Sequence, residues 1–356
     1  MRVAIVYNQP KCPAPREHWL SRSQPGTVIE ETFKDASECG VVEQARLIED
    51  VLRSAGYDTV LYGANVAGSL MEFLSREHPD LIFNCCESLG GNASLEMNVA
   101  ALFEIAGIPF TGSPALTLGM ALNKDLAKSL FVANGIPTPP WAVLSPHRGL
   151  DHARRLEFPL IVKPLREDAS IGIGAHSIVD GEPELLERAR FIWREFRQPA
   201  LAEEFIEGRE LNVAVLADGP EQFVTLPVSE IVFDGYPDHQ RKILTYEAKW
   251  IKDSPYYTST VPRCPAELCG ELADPIRSLA VDAAAAVQLR DYGRIDFRVR
   301  SSDGGIFVLE ANPNPDISSD SGFIRAAQAS GRTYAGVILE IVESARSRAR
   351  EKDHRP

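Results

Sequence analysis

The chain has 356 residues, 44% hydrophobic and 24% charged, the composition of a globular protein long enough for two or three packed layers. Its formal net charge of −13 argues against nucleic-acid or anionic-membrane partners, since both require a basic surface. No apolar run of roughly 18 residues exists to form a transmembrane helix, and the cytoplasm is the expected compartment.

The first third alternates strand and helix patterns. Val3–Tyr7 reads as a buried first strand, too short for a signal-peptide core, and Pro10–Gly26 as a long polar, proline-rich loop. An amphipathic helix over Val41–Ala55 follows, then a strand at Thr59–Leu61, a helix at Ser69–Glu77 and a strand at Leu81–Asn84. A helix over Ser94–Ala106 stops at Gly107, and Ile108–Thr111 begins another strand. This βαβ rhythm predicts a parallel sheet covered by helices, so the fold class is α/β, with α+β character in the C-terminal half.

A helix over Lys124–Asn134 ends at Gly135-Ile136-Pro137-Thr138-Pro139-Pro140, the clearest boundary signal in the chain. Beyond it lie a strand at Leu160–Lys163 and a helix at Glu184–Phe196. Longer antiparallel strands, Leu211–Ala217 and Phe223–Val232, a helix at Ala273–Leu289 and a terminal helix at Gly336–Arg348 complete the reading. The expected units are 1–120, 121–204 and 205–348, with 349–356 as a frayed tail. Six cysteines (Cys12, Cys39, Cys85, Cys86, Cys264, Cys269) follow no zinc spacing and read as reduced thiols.

The chemistry concentrates near the end. In Tyr292–Phe297 and Val308–Pro315 the apolar residues Ile295, Phe297, Val299 and Phe307, Leu309, Ala311 alternate on one strand face. Arg294, Asp296, Glu310 and Asn312 therefore share the other. A hairpin turning at Asp303, with Gly304 in the left-handed position, sets Asp296 opposite Glu310 and Arg294 opposite Asn312. Two opposed carboxylates require a cation between them, and oxygen donors without His or Cys suit Mg²⁺ carrying a phosphorylated substrate. Upstream, Lys163 ends an apolar strand and Ser170-Ile171-Gly172-Ile173-Gly174 follows, a glycine-containing segment whose N–H groups can approach phosphate oxygens.

Gly293-Arg294-Ile295-Asp296-Phe297 followed by Leu309-Glu310-Ala311-Asn312-Pro313-Asn314-Pro315 resembles the closing motif of ATP-grasp carboxylate–amine ligases, specifically the D-alanine–D-alanine ligase-like family. The resemblance runs from about Leu81 to Ile341 and implies an ATP-grasp fold, an N-terminal parallel-sheet domain followed by two ATP-clamping subdomains. It implies ATP and Mg²⁺ as cofactors, two ions in number with Mn²⁺ as an alternative, small-molecule amino-acid substrates and a homodimer. By resemblance Lys124 and Lys163 contact the nucleotide's phosphates, Glu203, Glu204, Phe205 and Ile206 line the adenine, and Glu210 binds the ribose hydroxyls. Lys249 reaches the γ-phosphate, Ser170 and Gly172 belong to the phosphate flap, and Arg294 braces the acyl phosphate. Asp296, Glu310 and Asn312 hold Mg²⁺.

The amino-acid pockets match less well. Tyr7-Asn8-Gln9-Pro10 and Asn84–Asn92 stand where the family has glycine-rich and His-Gly segments, Ala169 stands for a serine, and Asp316 for a glycine. Asn84, Glu87, Trp250, Asp316 and Ser321 are the candidate substrate residues. The implied reaction activates an amino-acid carboxylate with ATP and couples it to a second amine, a dipeptide synthesis of the D-Ala–D-Ala type. Its rivals are a ligase for a different amino acid or amine, and a nucleotide-binding regulator without turnover.

Overall fold

The computed structural model describes residues 1–10, 40–147, 149–219, 222–236 and 241–353. The expected loop beyond Pro10, together with Cys12 and Cys39, lies outside them.

Strands β1 (Arg2–Asn8), β2 (Asp58–Ala64) and β3 (Leu81–Cys85) form a parallel sheet in the order β2-β1-β3. Val3, Ala4, Ile5 and Val6 are all fully buried, which is why β1 carries an unbroken apolar run rather than an alternating one. Helix α1 (Val41–Ser54) lays Val41, Ala45, Ile48 and Leu52 on one sheet face, whereas α2 (Ala67–Glu77) and α3 (Glu96–Ala106) cover the other. Cys85 sits in the first of these cores and Cys86 in the second, and burial pushes both thiols up, away from the reactive thiolate.

The strand expected at Ile108–Thr111 is a single bridge, Ile82 to Phe110. Pro109 has no N–H to extend the ladder, and Gly112 (φ +84°) turns the chain away, its own N–H donated to the Asp291 carboxylate at 2.8 Å. A helix not read from sequence, α4 (Ala115–Leu122), precedes α5 (Lys124–Ala133).

After the proline cluster β4 (Trp141–Leu144), β5 (Leu160–Pro164), β6 (Ile178–Val179) and β7 (Ala200–Glu204) form an antiparallel sheet in the order β4-β7-β5-β6. Helix α6 (Glu182–Glu195) buries Leu185, Ala189 and Ile192 against it. The chain then enters the largest sheet, whose path is β11-β10-β8-β12-β13 with β9 paired to β8. Its strands are β8 (Gly208–Ala217), β9 (Phe223–Thr225), β10 (Ser229–Phe233), β11 (Thr260–Arg263), β12 (Tyr292–Arg300) and β13 (Ile306–Asn312). The single strand expected over Phe223–Val232 is thus two, parted at Leu226-Pro227-Val228, where Pro227 cannot donate to a ladder. Gly208 permits the entry: at its φ of +155°, a Cβ there would collide with the Val299 carbonyl oxygen.

The segment read as a long loop around Thr245 contains a short helix, α7 (Tyr246–Trp250), capped by Thr245 Oγ1, which accepts the Ala248 N–H at 3.1 Å. Helices α8 (Pro255–Thr258), α9 (Gly270–Ala286), α10 (Gly322–Ala329) and α11 (Tyr334–Asp353) complete the chain. Helix α9 joins α5 in the core under β8, β12 and β13, and α11 packs in the core shared with α1. The last helix runs past its expected end at Arg348, so residues 349–353 of the expected frayed tail are helical. Arg348 itself pairs with the buried Asp291 and donates to the Phe110 carbonyl at 3.0 Å, anchoring this turn. Among the described residues no helix is long and apolar enough to cross a membrane.

Candidate active site

The four-stranded and the large sheet face each other across a cleft. It is lined by Lys163, Ser170, Glu203, Glu204, Phe205, Ile206, Glu210, Lys249, Arg294, Asp296, Glu310 and Asn312. The β12–β13 register places Arg294 opposite Asn312 and Asp296 opposite Glu310. A bulge then shifts the pairing, so Phe297 faces Val308 and Val299 faces Ile306. The core side of β13 is therefore Ala311 and Val308, and Leu309, expected in the core, lines the cleft instead.

Arg294 grips Asp296 with both arms of its guanidinium, Nε to Oδ1 at 2.6 Å and Nη2 to Oδ2 at 2.7 Å. Asn312 Nδ2 adds a donor to Asp296 Oδ2 at 3.1 Å. Glu310 faces Lys124 Nζ at 3.8 Å. Burial alone would raise the Glu310 pKa, but Lys124, Lys163, Arg294 and Lys249 together hold it down at about 2. For Arg294 burial acts against the charge and Asp296 outweighs it, keeping the guanidinium firmly protonated. Burial, with Arg294 nearby, lowers Lys249.

Lys124 also donates to the Glu167 carbonyl at 2.5 Å and meets Asp168 at 3.2 Å, which ties the start of α5 to the loop after β5. Lys163 Nζ lies 2.5 Å from Glu203 Oε1, both side chains almost fully buried. Glu210 Oε2 accepts from Arg298 Nη2 at 2.6 Å, a consequence of the register that opposes the two residues on β8 and β12. The N–H groups of Glu204 and Phe205 are committed to the Pro140 and Pro159 carbonyls at 3.0 and 2.9 Å.

The flap after β5 is held from both sides. Ala169 and Ser170 take left-handed backbones (φ +55° and +59°), and Gly172, at φ +75°, packs so closely that a Cβ would lie 2.6 Å from Pro164 Cγ. Beneath it the Arg188 guanidinium donates to the Gly172 carbonyl. Across the cleft α7 closes on it: Trp250 Nε1 donates to the Ala169 carbonyl at 3.0 Å, and Tyr246 N–H to the Ile173 carbonyl at 2.9 Å. The same Trp250 ring stands 5.5 Å from Lys249 Nζ.

The other candidate substrate residues do not line this cleft. Asn84 is 3% exposed, and its side-chain oxygen accepts the Cys86 N–H at 3.1 Å, which braces its own loop. Glu87 donates its backbone N–H to Asn8 Oδ1 at 3.1 Å. Asp316 is exposed and accepts the Ser318 N–H at 2.8 Å, and Ser321 caps α10 by accepting the Ile324 N–H at 3.2 Å. Sequence reasoning missed Lys128, Arg298 and Leu309. Only Arg298 left a trace, its place on the same strand face as Asp296.

The donor set fits a hard cation: two opposed carboxylates and an amide, all oxygen donors. Among the described residues no three His, Cys, Asp or Glu side chains are grouped to hold a metal ion, and the third donor here is Asn312. Interleaved cations and acids at the junction of two antiparallel sheets suit a phosphorylated nucleotide carried by a divalent cation, the arrangement that a nucleotide-dependent ligase of the ATP-grasp class requires.

The D-ala D-ala ligase C-terminus family matches residues 130–343. An uncharacterized protein of Sinorhizobium fredii, y4sG, is 33% identical over 318 residues, covering 86% of this chain and 89% of that one. A D-alanine–D-alanine ligase of Ralstonia nicotianae is 34% identical over 262 residues, 72% of this chain and 73% of its own. Among solved structures, the D-alanine–D-alanine ligase from Bacillus anthracis complexed with ATP aligns with a TM-score of 0.73 at 22% identity over 99% of each chain. The VanG D-Ala:D-Ser ligase from Enterococcus faecalis gives 0.70 at 18% identity, over 97% of this chain and 99% of that one. At those identities the structural likeness speaks for the fold alone. The chain belongs to the D-alanine–D-alanine ligase family. It is an ATP-dependent ligase that forms a C–N bond with ADP and phosphate as products, and the family implies ATP and Mg²⁺.

Proposed function

We propose that the chain joins two amino acids into a dipeptide, with D-alanine as the default for both, at the cleft between the four-stranded and large sheets. The observation that carries this reading is the setting of Glu310: it lies opposite Asp296 across the β12–β13 register, with Lys124 Nζ 3.8 Å away and Lys163, Lys249 and Arg294 at the same cleft. Four cationic groups, Lys124, Lys163, Lys249 and Arg294, around this opposed pair of acids suit a bound triphosphate.

Lys163 and Lys124 hold the phosphates and Lys249 the γ-phosphoryl group. Glu210, steadied by Arg298, accepts the ribose hydroxyls. With the Glu204 and Phe205 N–H groups already bonded, the adenine edge is met by the carbonyls of this segment and by Ile206. Asp296, Glu310 and Asn312 would hold Mg²⁺, two ions in our reading with Mn²⁺ as a substitute, and the metal would supply charge neutralisation at the phosphates. The γ-phosphoryl group passes to an amino-acid carboxylate, giving an acyl phosphate and ADP. The second amine then attacks the acyl carbon, and phosphate leaves with one of the original carboxylate oxygens. Arg294, fixed and planar, balances charge on the acyl phosphate. Ser170 and Gly172 set the flap that excludes water.

By resemblance Ser321 binds the second substrate's carboxylate, and Glu87 and Asp316 contribute to substrate recognition; the Ser321 hydroxyl caps α10, outside the lining of the cleft itself. Ala169 and Asp316, where the family has serine and glycine, favour a second reading within the class: a ligase for a different amino acid or amine. The regulator without turnover is not favoured, since the relatives of this chain are D-alanine–D-alanine ligases. The enzyme is expected to be a cytoplasmic homodimer that binds no nucleic acid.

The test is ADP release with Mg-ATP against D- and L-amino acids, singly and in pairs. A pair that stimulates release and yields its dipeptide mass names the substrates. ATP binding with no stimulation by any pair would redirect the search to another amine.

A further inference from the structure

Helix α5 carries a second lysine one turn after Lys124, which no step of the proposed reaction uses. Lys128 is 0% exposed and does not line the cleft. Its ammonium donates to Thr138 Oγ1 at 2.7 Å and to the Pro139 carbonyl at 3.2 Å, and stands 5.5 Å from the Trp141 ring. Its fourth neighbour is Glu203 Oε2 at 2.8 Å, a buried ion pair. The other oxygen of Glu203 is held by Lys163 at 2.5 Å. One buried carboxylate therefore has two buried ammonium partners, one inside the cleft and one behind it.

Two partners for one acid are more than pairing alone requires, because bringing a second ammonium out of water is costly. The arrangement makes sense if one partner must leave. We propose that Lys128 is a positioning residue, the standing counter-ion of Glu203 that frees Lys163 to move onto the nucleotide's phosphates. This rests on the reading of the cleft as an ATP site. Without Lys128, release of Lys163 would strand the Glu203 carboxylate, 1% exposed, with no cation beside it. Thr138, Pro139 and Trp141 fix Lys128 from behind, so it stays with Glu203 whichever way Lys163 turns. Burial alone would raise the Glu203 pKa, and Lys128 and Lys163 together lower it, which keeps the carboxylate ionised for this exchange.

The experiment is calorimetric titration of the full chain with Mg-ATP and, separately, with adenosine. The proteins are wild type, Lys128→Met, Glu203→Gln and the double variant. Lys128→Met should weaken ATP by about 30-fold or more. Adenosine, which has no phosphate to draw Lys163 away, should bind within about threefold of wild type. The double variant, with no carboxylate to strand, should bind ATP within about threefold of Glu203→Gln alone. Unchanged ATP affinity in Lys128→Met would overturn the inference, and so would equal losses of ATP and adenosine. A double variant far weaker than Glu203→Gln would reduce Lys128 to through-space attraction or packing and also overturn it. If Lys128→Met does not fold, the comparison of the double variant with Glu203→Gln decides alone. A wild-type chain that binds adenosine but not ATP would instead sink the ATP-site reading beneath it.

Discussion

Arg294 and Asp296, two residues apart on one face of β12, are joined by two parallel hydrogen bonds of 2.6 and 2.7 Å. The pairing fixes the guanidinium plane before any substrate arrives, which is what stabilising a developing charge demands. Lysine carries the charge but cannot make the paired contact. Arg294→Lys should therefore lower kcat by about 100-fold or more and leave ATP affinity within about threefold. Steady-state kinetics beside ATP titration checks the split.

Gly172 tests the flap. Its φ is +75°, and a side chain there would begin 2.6 Å from Pro164 Cγ, which leaves it no room. Gly172→Ala should cost about 1–3 kcal/mol of local strain, appearing as a KM for ATP raised about tenfold. The same kinetics with the amino acids saturating would show it.

Trp250 links flap and Lys249 through one side chain. Trp250→Phe keeps an aromatic face toward Lys249 and loses the 3.0 Å bond to the Ala169 carbonyl. Loss of that bond should cost about 1 kcal/mol, a drop in kcat/KM of about fivefold. Wild-type kinetics in this variant would show that α7 closes on the flap without it.

Glu96 supplies a pH signature away from the chemistry. It lies at the start of α3, 9% exposed, and accepts from Asn314 Nδ2 at 2.9 Å; the same amide donates to the Cys86 carbonyl at 2.9 Å. The loop after the Asp296–Glu310 pair is thereby tied to the N-terminal sheet. Burial raises the Glu96 pKa well above 4.5, so the folded state holds this proton more tightly than the unfolded chain. Its contribution is complete below pH 4.5 and is lost as pH rises from there through the folded value. Glu96→Gln keeps the acceptor and cannot ionise. Its Tm relative to wild type should rise as pH increases above 4.5; an offset that does not change with pH would contradict this.

The pairing of Asp296 with Glu310 was legible because the loop length and strict alternation on β12 leave one register. The bulge was not, because Val308 and Leu309 are both apolar and either could have faced the core. Lys124 could be read from its motif, whereas Lys128 could not, since a lysine in a helix is solvated unless tertiary structure brings an acid to it. The break at Pro227 carried a local signal that a run of β-branched neighbours masked. The missing strand at Ile108–Thr111 carried one too, in Pro109. Asn84 showed its role only once Cys86 N–H was seen beside it.

The central claim is that an amino-acid carboxylate is activated as its acyl phosphate. Its most direct test is turnover with D-alanine carrying ¹⁸O in the carboxylate, or with whichever amino acid the panel selects, in the presence of Mg-ATP. One ¹⁸O should appear in the released phosphate for each dipeptide formed. Dipeptide accompanied by unlabelled phosphate would contradict it.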